Sequence, residues 1–393
     1  MATDFPGVGQ AELQARGAEW TAREIAQQPS VWQQVERLVS EHRTLLDRFL
    51  QPLLTKSSLR VLMSGAGTSS FIGDCLVPAL SVRLQRRVES IATTDLVSGP
   101  HLRLQGDVPT LLVSFARSGN SPESVAAVDF AERAVTDVHH LIITCNPDGE
   151  LARRAPGLRS AHLIVLPDVT NDRSFAMTSS FTSMLLSAAL AFGVVRPEMV
   201  SSVASAAAKV LQQAAPVAQR LVAREFQRVV YLGSNELRGL ASEAALKLLE
   251  LTDGNVVALA DSTLGFRHGP KTVIDDKTLV VVMVSNDAYA RAYDLDLLAE
   301  LRRDKRAGAI IALSAREEGL AEGDNVVYDL LREHSDLELA FVHILVAQSF
   351  ALLQSLALGL TPDRPNAAGV VNRVVQGVII HPWSERREHV SRH

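Results

Sequence analysis

Three charged residues sit in the run Glu243-Ala-Ala-Leu-Lys247-Leu-Leu-Glu250. Offsets of four and seven put all three on one face of a helix, with Leu246, Leu248 and Leu249 turned mostly toward a core. A carboxylate of raised pKa, held against apolar neighbours, removes a proton alpha to a carbonyl or imine. Glu250, between Leu248, Leu249 and Leu251, is the expected base. The competing reading of this stripe is a solvated, salt-bridged helix face, with Lys247 the ion-pair partner of Glu243 or Glu250 rather than a substrate contact.

Two serine-rich turns favour chemistry. Arg60-Val-Leu-Met63 runs into Ser64-Gly-Ala-Gly-Thr-Ser-Ser70, and the strand Thr110–Ser114 precedes Arg117-Ser-Gly-Asn-Ser-Pro-Glu-Ser124. Both turns are expected at C-terminal ends of parallel strands, where open α/β sheets bind ligands. Gly65 and Gly67 let the backbone curl around a ligand. Thr68, Ser69, Ser118 and Ser121 add hydroxyls at two helix starts, where free N–H groups favour an anion. Converging on one point, they suit a phosphate monoester; alone, either turn could simply cap a helix. A dinucleotide site fits poorly. Gly65-Ala-Gly67 opens like GxGxxG and Asp95 stands near the ribose-binding position, but Ser70 replaces the third glycine and the second turn has no part in that fingerprint. There is no GxxxxGK(S/T) phosphate loop in the sequence.

The elements that position these residues alternate. Helices from about Ala11 to Leu50, broken by Pro29, come first. Strands near Arg60–Met63, Val88–Ala92, Thr110–Ser114, His140–Thr144 and His162–Leu166 then alternate with helices and with a turn at Thr93-Thr-Asp95. Helices over Met177–Phe192 and Val200–Arg220 separate this series from a second one. There the strands are Arg228–Leu232, Asn255–Leu259, Leu279–Ser285 and Ala309–Leu313, with a helix over Tyr293–Arg303. The fold class is α/β, with two doubly wound parallel sheets behind an N-terminal helical segment. The expected division is 1–50 helical segment, 51–200 first domain, 201–382 second domain and 383–393 tail.

At 393 residues, 47% hydrophobic and 21% charged, the chain is long enough for two cores. A net charge of −5 disfavours nucleic acid as a partner. Cys75 and Cys145 show no CxxC spacing and read as buried free thiols of a reducing compartment, and the N-terminus has no signal-peptide pattern; a cytoplasmic protein is expected. Leu339–Leu360 could span a bilayer by length. Its His343, Gln348, Ser349, Gln354 and Ser355 make it a buried helix instead, and no membrane partner is expected. His334 and His343 are too far apart for a helical metal pair, no HExxH occurs, and no metal or other cofactor is expected.

Together these motifs resemble the sugar isomerase (SIS) domain, and the chain is similar to tandem SIS proteins from about residue 20 to 382. The resemblance rests on Ser64–Ser70, Ser114–Ser124, Ser242-Glu-Ala-Ala-Leu-Lys247 and Phe266-Arg-His-Gly-Pro270. Arg23–Pro29, Met177–Thr182 and Val371–Gly377 point to the AgaS branch, of tagatose-6-phosphate ketose/aldose isomerases or galactosamine-6-phosphate deaminase/isomerases. It implies two flavodoxin-like, five-stranded parallel sheets and a homodimer. It further implies that Ser69, Ser118 and Ser121, with the Arg117 backbone beside them, hold a sugar 6-phosphate. Glu250 matches a carboxylate that moves a proton between C1 and C2, and His268 a ring-opening histidine that reaches in from the neighbouring subunit. Glu243 and Lys247 match polar residues of the same helix. The glutaminase domain of glucosamine-6-phosphate synthase has no counterpart, and the tail from Thr361 to Pro382 lacks that enzyme's catalytic lysine, carrying Arg364, Asn372 and Arg373 instead. The implied reaction is conversion of galactosamine 6-phosphate to tagatose 6-phosphate and ammonia. The alternatives are plain aldose–ketose isomerisation, a glucosamine-6-phosphate deaminase, or a non-catalytic sugar-phosphate sensor. A sensor would need only the serine turns, and such regulators carry a DNA-binding helical domain that this sequence does not show.

Overall fold

The computed structural model describes residues 5–320, 322–366, 368–369, 371–373, 375 and 377–383. Four helices lead: α1 (Gln10–Ala15), α2 (Glu19–Ala26), α3 (Gln28–Glu41) and α4 (Arg43–Leu54). The break expected at Pro29 lies at Gln27 instead. Pro29 sits in the first turn of α3, where its missing N–H has no helical partner to lose.

The first sheet follows as β1 (Arg60–Ser64), α5 (Thr68–Leu84), β2 (Val88–Ser90), α6 (Thr93–Ser98), α7 (Pro100–Arg103), β3 (Thr110–Ala116), α8 (Pro122–Ala134), β4 (Val138–Thr144), α9 (Glu150–Arg154) and β5 (Ala161–Val165). The segment read as a turn at Thr93 is thus the first turn of a short helix. Helices α10 (Ser179–Ala191) and α11 (Pro197–Val222) lead to the second series. It comprises β6 (Arg228–Gly233), α12 (Glu236–Leu251), β7 (Val257–Asp261), α13 (Thr263–Phe266), β8 (Thr278–Met283), α14 (Ala288–Asp304), β9 (Ala309–Ser314), β10 (Asp324–Val327) and α15 (Asp336–Ala357). Strand β10 has no counterpart in the sequence reading. It is a four-residue edge strand that begins on Asp324, too short and polar to show a pattern.

Each sheet is five-stranded and wholly parallel, in the orders β2-β1-β3-β4-β5 and β10-β9-β8-β6-β7. Written from opposite edges, these are one order. The chain leaves β1 for one side and returns to the other at β3, which opens a crevice between them at the carboxyl ends of the strands. The β6/β8 pair does the same in the second half.

Alternation along the strands feeds separate cores. Val61 and Met63 join an apolar body that runs through Trp32, Leu185 and Val210 to Phe341 and Leu345, and so ties both halves together. Leu62 and Leu112 face a second core under α8, and Val230 and Val280 a third under α14. Trp32 packs edge-on against Phe341 at 5.3 Å, and its ring N–H donates to Thr182 Oγ1 at 2.9 Å. Helix α15, long and apolar enough to cross a membrane, is buried along 94% of that stretch, packed against α11 and α12.

Candidate active site

The sequence of α12 is rich in Ala, Leu, Glu and Lys, the best helix formers. It follows β6 and precedes the parallel strand β7, so it runs antiparallel to both, and its last turn lies at the amino ends of the second sheet. That turn meets the carboxyl-end loops of the first sheet. Contact with α5 is close enough that a Cβ on Gly239 would stand 2.7 Å from the backbone of Asp74 and Cys75.

This packing puts the charged stripe inside the protein. Glu243 and Lys247 are fully buried, so the stripe is no solvated face. Lys247 Nζ donates to Thr68 Oγ1 at 2.9 Å, pairs with Glu250 Oε2, and lies 3.5 Å from Glu243 Oε1. The leucines divide differently from the expectation. Leu248 and Leu251 are buried, Leu246 is half-buried and Leu249 is 36% exposed, because the inward face belongs to the charges.

Burial pushes the Glu243 carboxyl up to about 8; Lys247 opposes this and the charge of Glu250 adds to it. Neither Glu243 oxygen has a hydrogen bond among the described residues. Burial works to lower the Lys247 pKa, but Glu243 and Glu250 outweigh it, and the ammonium is held above its ordinary value. The carboxyl that burial raises strongly is thus Glu243, a residue that the sequence reading took only as a polar neighbour on the same helix. Glu250 keeps 24% of its side chain exposed, enough to meet a ligand.

The first serine turn begins at Gly65, where a Cβ would lie 2.5 Å from the Ser69 backbone, and passes through Gly67 at φ +55°. Thr68 opens α5 with its oxygen toward Lys247, and Ser69 follows, buried, its hydroxyl free of hydrogen bonds among the described residues. After the adjacent strand β3, Ser121 caps α8, accepting from Ser124 N at 3.2 Å. Ser118 Oγ accepts from Asn120 N at 3.3 Å and its carbonyl from Asn146 Nδ2 at 2.8 Å. Gly149 presses against this turn, leaving 2.5 Å between a would-be Cβ and Ser118 O.

Arg117 was expected to offer its backbone. Its side chain is 6% exposed and donates to the carbonyls of Phe175 and Arg373. Burial and Arg373 lower its pKa, against the pull of Asp172 and Glu250. The guanidinium therefore ties the second serine turn to the C-terminal tail within electrostatic reach of Glu250. Its acceptors Phe175 and Arg373 also line a cavity of about 690 Å³, together with Arg173, Arg364 and Asn372. Arg373 donates to Asn171 Oδ1 and to the Asp172 carbonyl. Beneath, Glu24 of α2 accepts from the backbone N–H of Arg173 and Ser174, and burial followed by the charge of Asp172 pushes it up to about 8. Sequence reasoning missed this wall as part of the site. Of its segments, Arg23–Pro29 and the tail carry the branch resemblance and Arg364, Asn372 and Arg373 replace the synthase lysine, whereas residues 171–175 carry no motif of their own.

His268 is not part of this cluster. It is exposed in the turn after α13, at the carboxyl end of the second sheet. Glu250 is at the other end of that sheet, roughly 20 Å away along the fourteen-residue rise of α12. His334 and His343 are structural, bonded to Ser202 (2.8 Å) and to the Tyr328 hydroxyl. Cys75 and Cys145 are free and buried, and burial raises both thiols, Cys145 to about 12.

The model of the SIS domain matches residues 53–193. An AgaS protein of Streptomyces coelicolor is 49% identical over 369 residues, covering 93% of this chain and 96% of its own. The chain belongs to the AgaS family. Its Escherichia coli relative, D-galactosamine-6-phosphate deaminase AgaS, is 47% identical over 371 residues, covering 93% of this chain and 96% of that one. Among solved structures, the tagatose-6-phosphate ketose/aldose isomerase of Escherichia coli superposes with a TM-score of 0.87 at 44% identity. That match covers 93% of this chain and 97% of the isomerase. The tandem SIS architecture and the AgaS relationship read from the sequence therefore hold.

Proposed function

We propose that this AgaS-family chain is an amino-sugar-phosphate deaminase/isomerase that converts galactosamine 6-phosphate and water to tagatose 6-phosphate and ammonia. The observation that carries the reading is the Glu243–Lys247–Glu250 cluster of α12, its first two members buried and Glu250 partly open, docked through Thr68 onto a hydroxyl-lined helix start at the β1/β3 crevice. Ser69, Ser118 and Ser121 with the neighbouring N–H groups hold the phosphate. The polar cavity beside Arg117, lined by Asp363, Asn366 and Asn372 as well as arginines, receives the sugar hydroxyls.

In the open-chain sugar, Glu250 takes the proton from C2, alpha to the C1 aldehyde, giving an enolamine. Lys247 holds Glu250 in place through their ion pair. Returning that proton to C1 leaves a C2 imine, which water hydrolyses to the ketose and ammonia. A 2-hydroxy substrate on the same shuttle gives plain isomerisation, the activity in the name of the solved isomerase.

Ring opening falls to His268, whose imidazole can pass a proton to or from the ring oxygen. Its separation from Glu250 means that a second copy must supply it, and we propose a homodimer. The edge strand β7 and helix α13 beside His268 expose Val257 (48%), Leu259 (37%) and Leu264 (43%), an apolar strip suited to burial against that copy. The test is ammonia release with galactosamine 6-phosphate and glucosamine 6-phosphate side by side. Faster release from the galactosamine ester supports the assignment; release from neither, with ketose–aldose interconversion of tagatose 6-phosphate intact, replaces it with the isomerase.

A further inference from the structure

The two halves match residue by residue at their crevices. Arg60 lies opposite Thr110 as Arg228 lies opposite Thr278, and the β2 and β7 pairings keep the same register. Counting on, Gly65 matches Gly233, where a Cβ would again be 2.5 Å from the following helix turn. Gly67 (φ +55°) matches Asn235 (φ +51°), and Thr93 matches Thr263. Helices α8 and α14 are capped by Ser121 and Asp287; seven residues beyond the caps stand Val128 and Asp294.

What fills the two crevices differs. In the first half, Val128 is apolar and buried, and the Thr93 hydroxyl is buried without a partner among the described residues. In the second half, Asp294 is fully buried and accepts from Ser234 Oγ (2.6 Å), Thr263 Oγ1 (2.8 Å) and Ser285 N (2.9 Å). Asp336, at the start of α15, accepts from Ser285 Oγ and from Asn286 N at 2.6 Å. The two carboxylates thus collect hydroxyl and N–H donors from the loops after β6, β7 and β8. Such loop ends are where an oxyanion ligand binds in an open parallel sheet.

We propose that Asp294 and Asp336 are built-in anions that use up the loop donors of the second crevice, among them Asn286 N, the counterpart of Ser118 N in the first. The second crevice is then a latent phosphate site closed by its own side chains, and each chain binds one sugar phosphate. The proposal rests on the reading that the first-half serine turns hold the ester.

The experiment is calorimetric titration of the full chain with glucitol 6-phosphate, an ester that cannot react, followed by thermal unfolding in inorganic phosphate. Wild type should bind about one equivalent per chain, and the Ser118→Ala/Ser121→Ala variant should bind at least about tenfold more weakly. Adding Asp294→Ala to that double variant frees three donors, and its Tm should then climb with inorganic phosphate more steeply than that of its parent. Two equivalents in wild type, one of them surviving in the double variant, would overturn the proposal and leave the first-half reading intact. So would a triple variant that folds but shows no added phosphate response; if it does not fold, the stoichiometry of the other two proteins decides. One equivalent that survives the double variant but is lost in Ser234→Ala/Ser285→Ala would instead sink the first-half reading, and this proposal with it.

Discussion

Replacing Glu243 by Gln isolates the most perturbed group of the cluster. Its ordinary pKa of 4.5 is pushed up to about 8 by burial, with no hydrogen bond to either oxygen among the described residues. That displacement disfavours the charged form by roughly 5 kcal/mol. At pH 7 about nine molecules in ten then carry a neutral Glu243, and an amide of the same shape should leave kcat/KM within roughly threefold. The pH dependence of stability should change far more. A carboxyl whose folded pKa is raised stabilises the fold fully below its unfolded pKa, and this is lost as pH rises through the folded value. The Gln variant lacks this titration. Its stability relative to wild type should therefore climb by about 1.4 kcal/mol per pH unit, or roughly 4 kcal/mol between about pH 5 and pH 8. With an unfolding entropy near 2.1 cal/mol/K per residue over 393 residues, that is roughly 5 °C in Tm. Thermal unfolding of both proteins across this pH range is the assay. Parallel Tm profiles would refute the assignment of the raised carboxyl to Glu243.

Three further outcomes are expected. Lys247→Met removes the donor shared by Thr68 and Glu250 and should lower stability by about 1–3 kcal/mol in denaturant melts, with turnover falling at least about a hundredfold; an unchanged protein would mean that the lysine is not buried. Mixing Glu250→Gln and His268→Ala subunits after joint refolding should restore about a quarter of wild-type turnover if His268 crosses the dimer, since half of the random dimers carry one intact site; no recovery would place both residues in one subunit's site. Asn235→Gly relieves a non-glycine residue held at φ +51°, ψ −119° and should raise stability by about 1 kcal/mol, read as a higher Tm; a lower Tm would show that the Asn side chain holds the turn.

Much of the site was legible because its chemistry lies in short runs. The spacing of Glu243, Lys247 and Glu250 fixed their common helix face, and the Gly-Ala-Gly and Ser-Gly-Asn-Ser turns announced two loops at strand ends. Periodicity cannot say which way a charged stripe points. Lys247 reads as a surface residue until α5 is packed against α12 through Gly239. The Arg117 side chain was missed for a similar reason, since its partners Phe175 and Arg373 are remote in sequence and are reached through carbonyls that carry no sequence signal. Likewise Asp294 and Asp336 look like ordinary helix residues, and only strand register sets them against the crevice donors. Strand β10 escaped because an edge strand of four residues has too little pattern to register.

On the proposed mechanism, Glu250 carries a proton between C1 and C2 of an amino-sugar phosphate on the way to ammonia. The direct test follows ammonia and ketose phosphate together from galactosamine 6-phosphate, with wild type and with a Glu250→Gln variant that keeps its fold and its affinity for the ester. Wild type should give equal amounts of the two products, and the variant should lose at least about a thousandfold in both. Ammonia release by the variant at near-wild-type rate would contradict this mechanism.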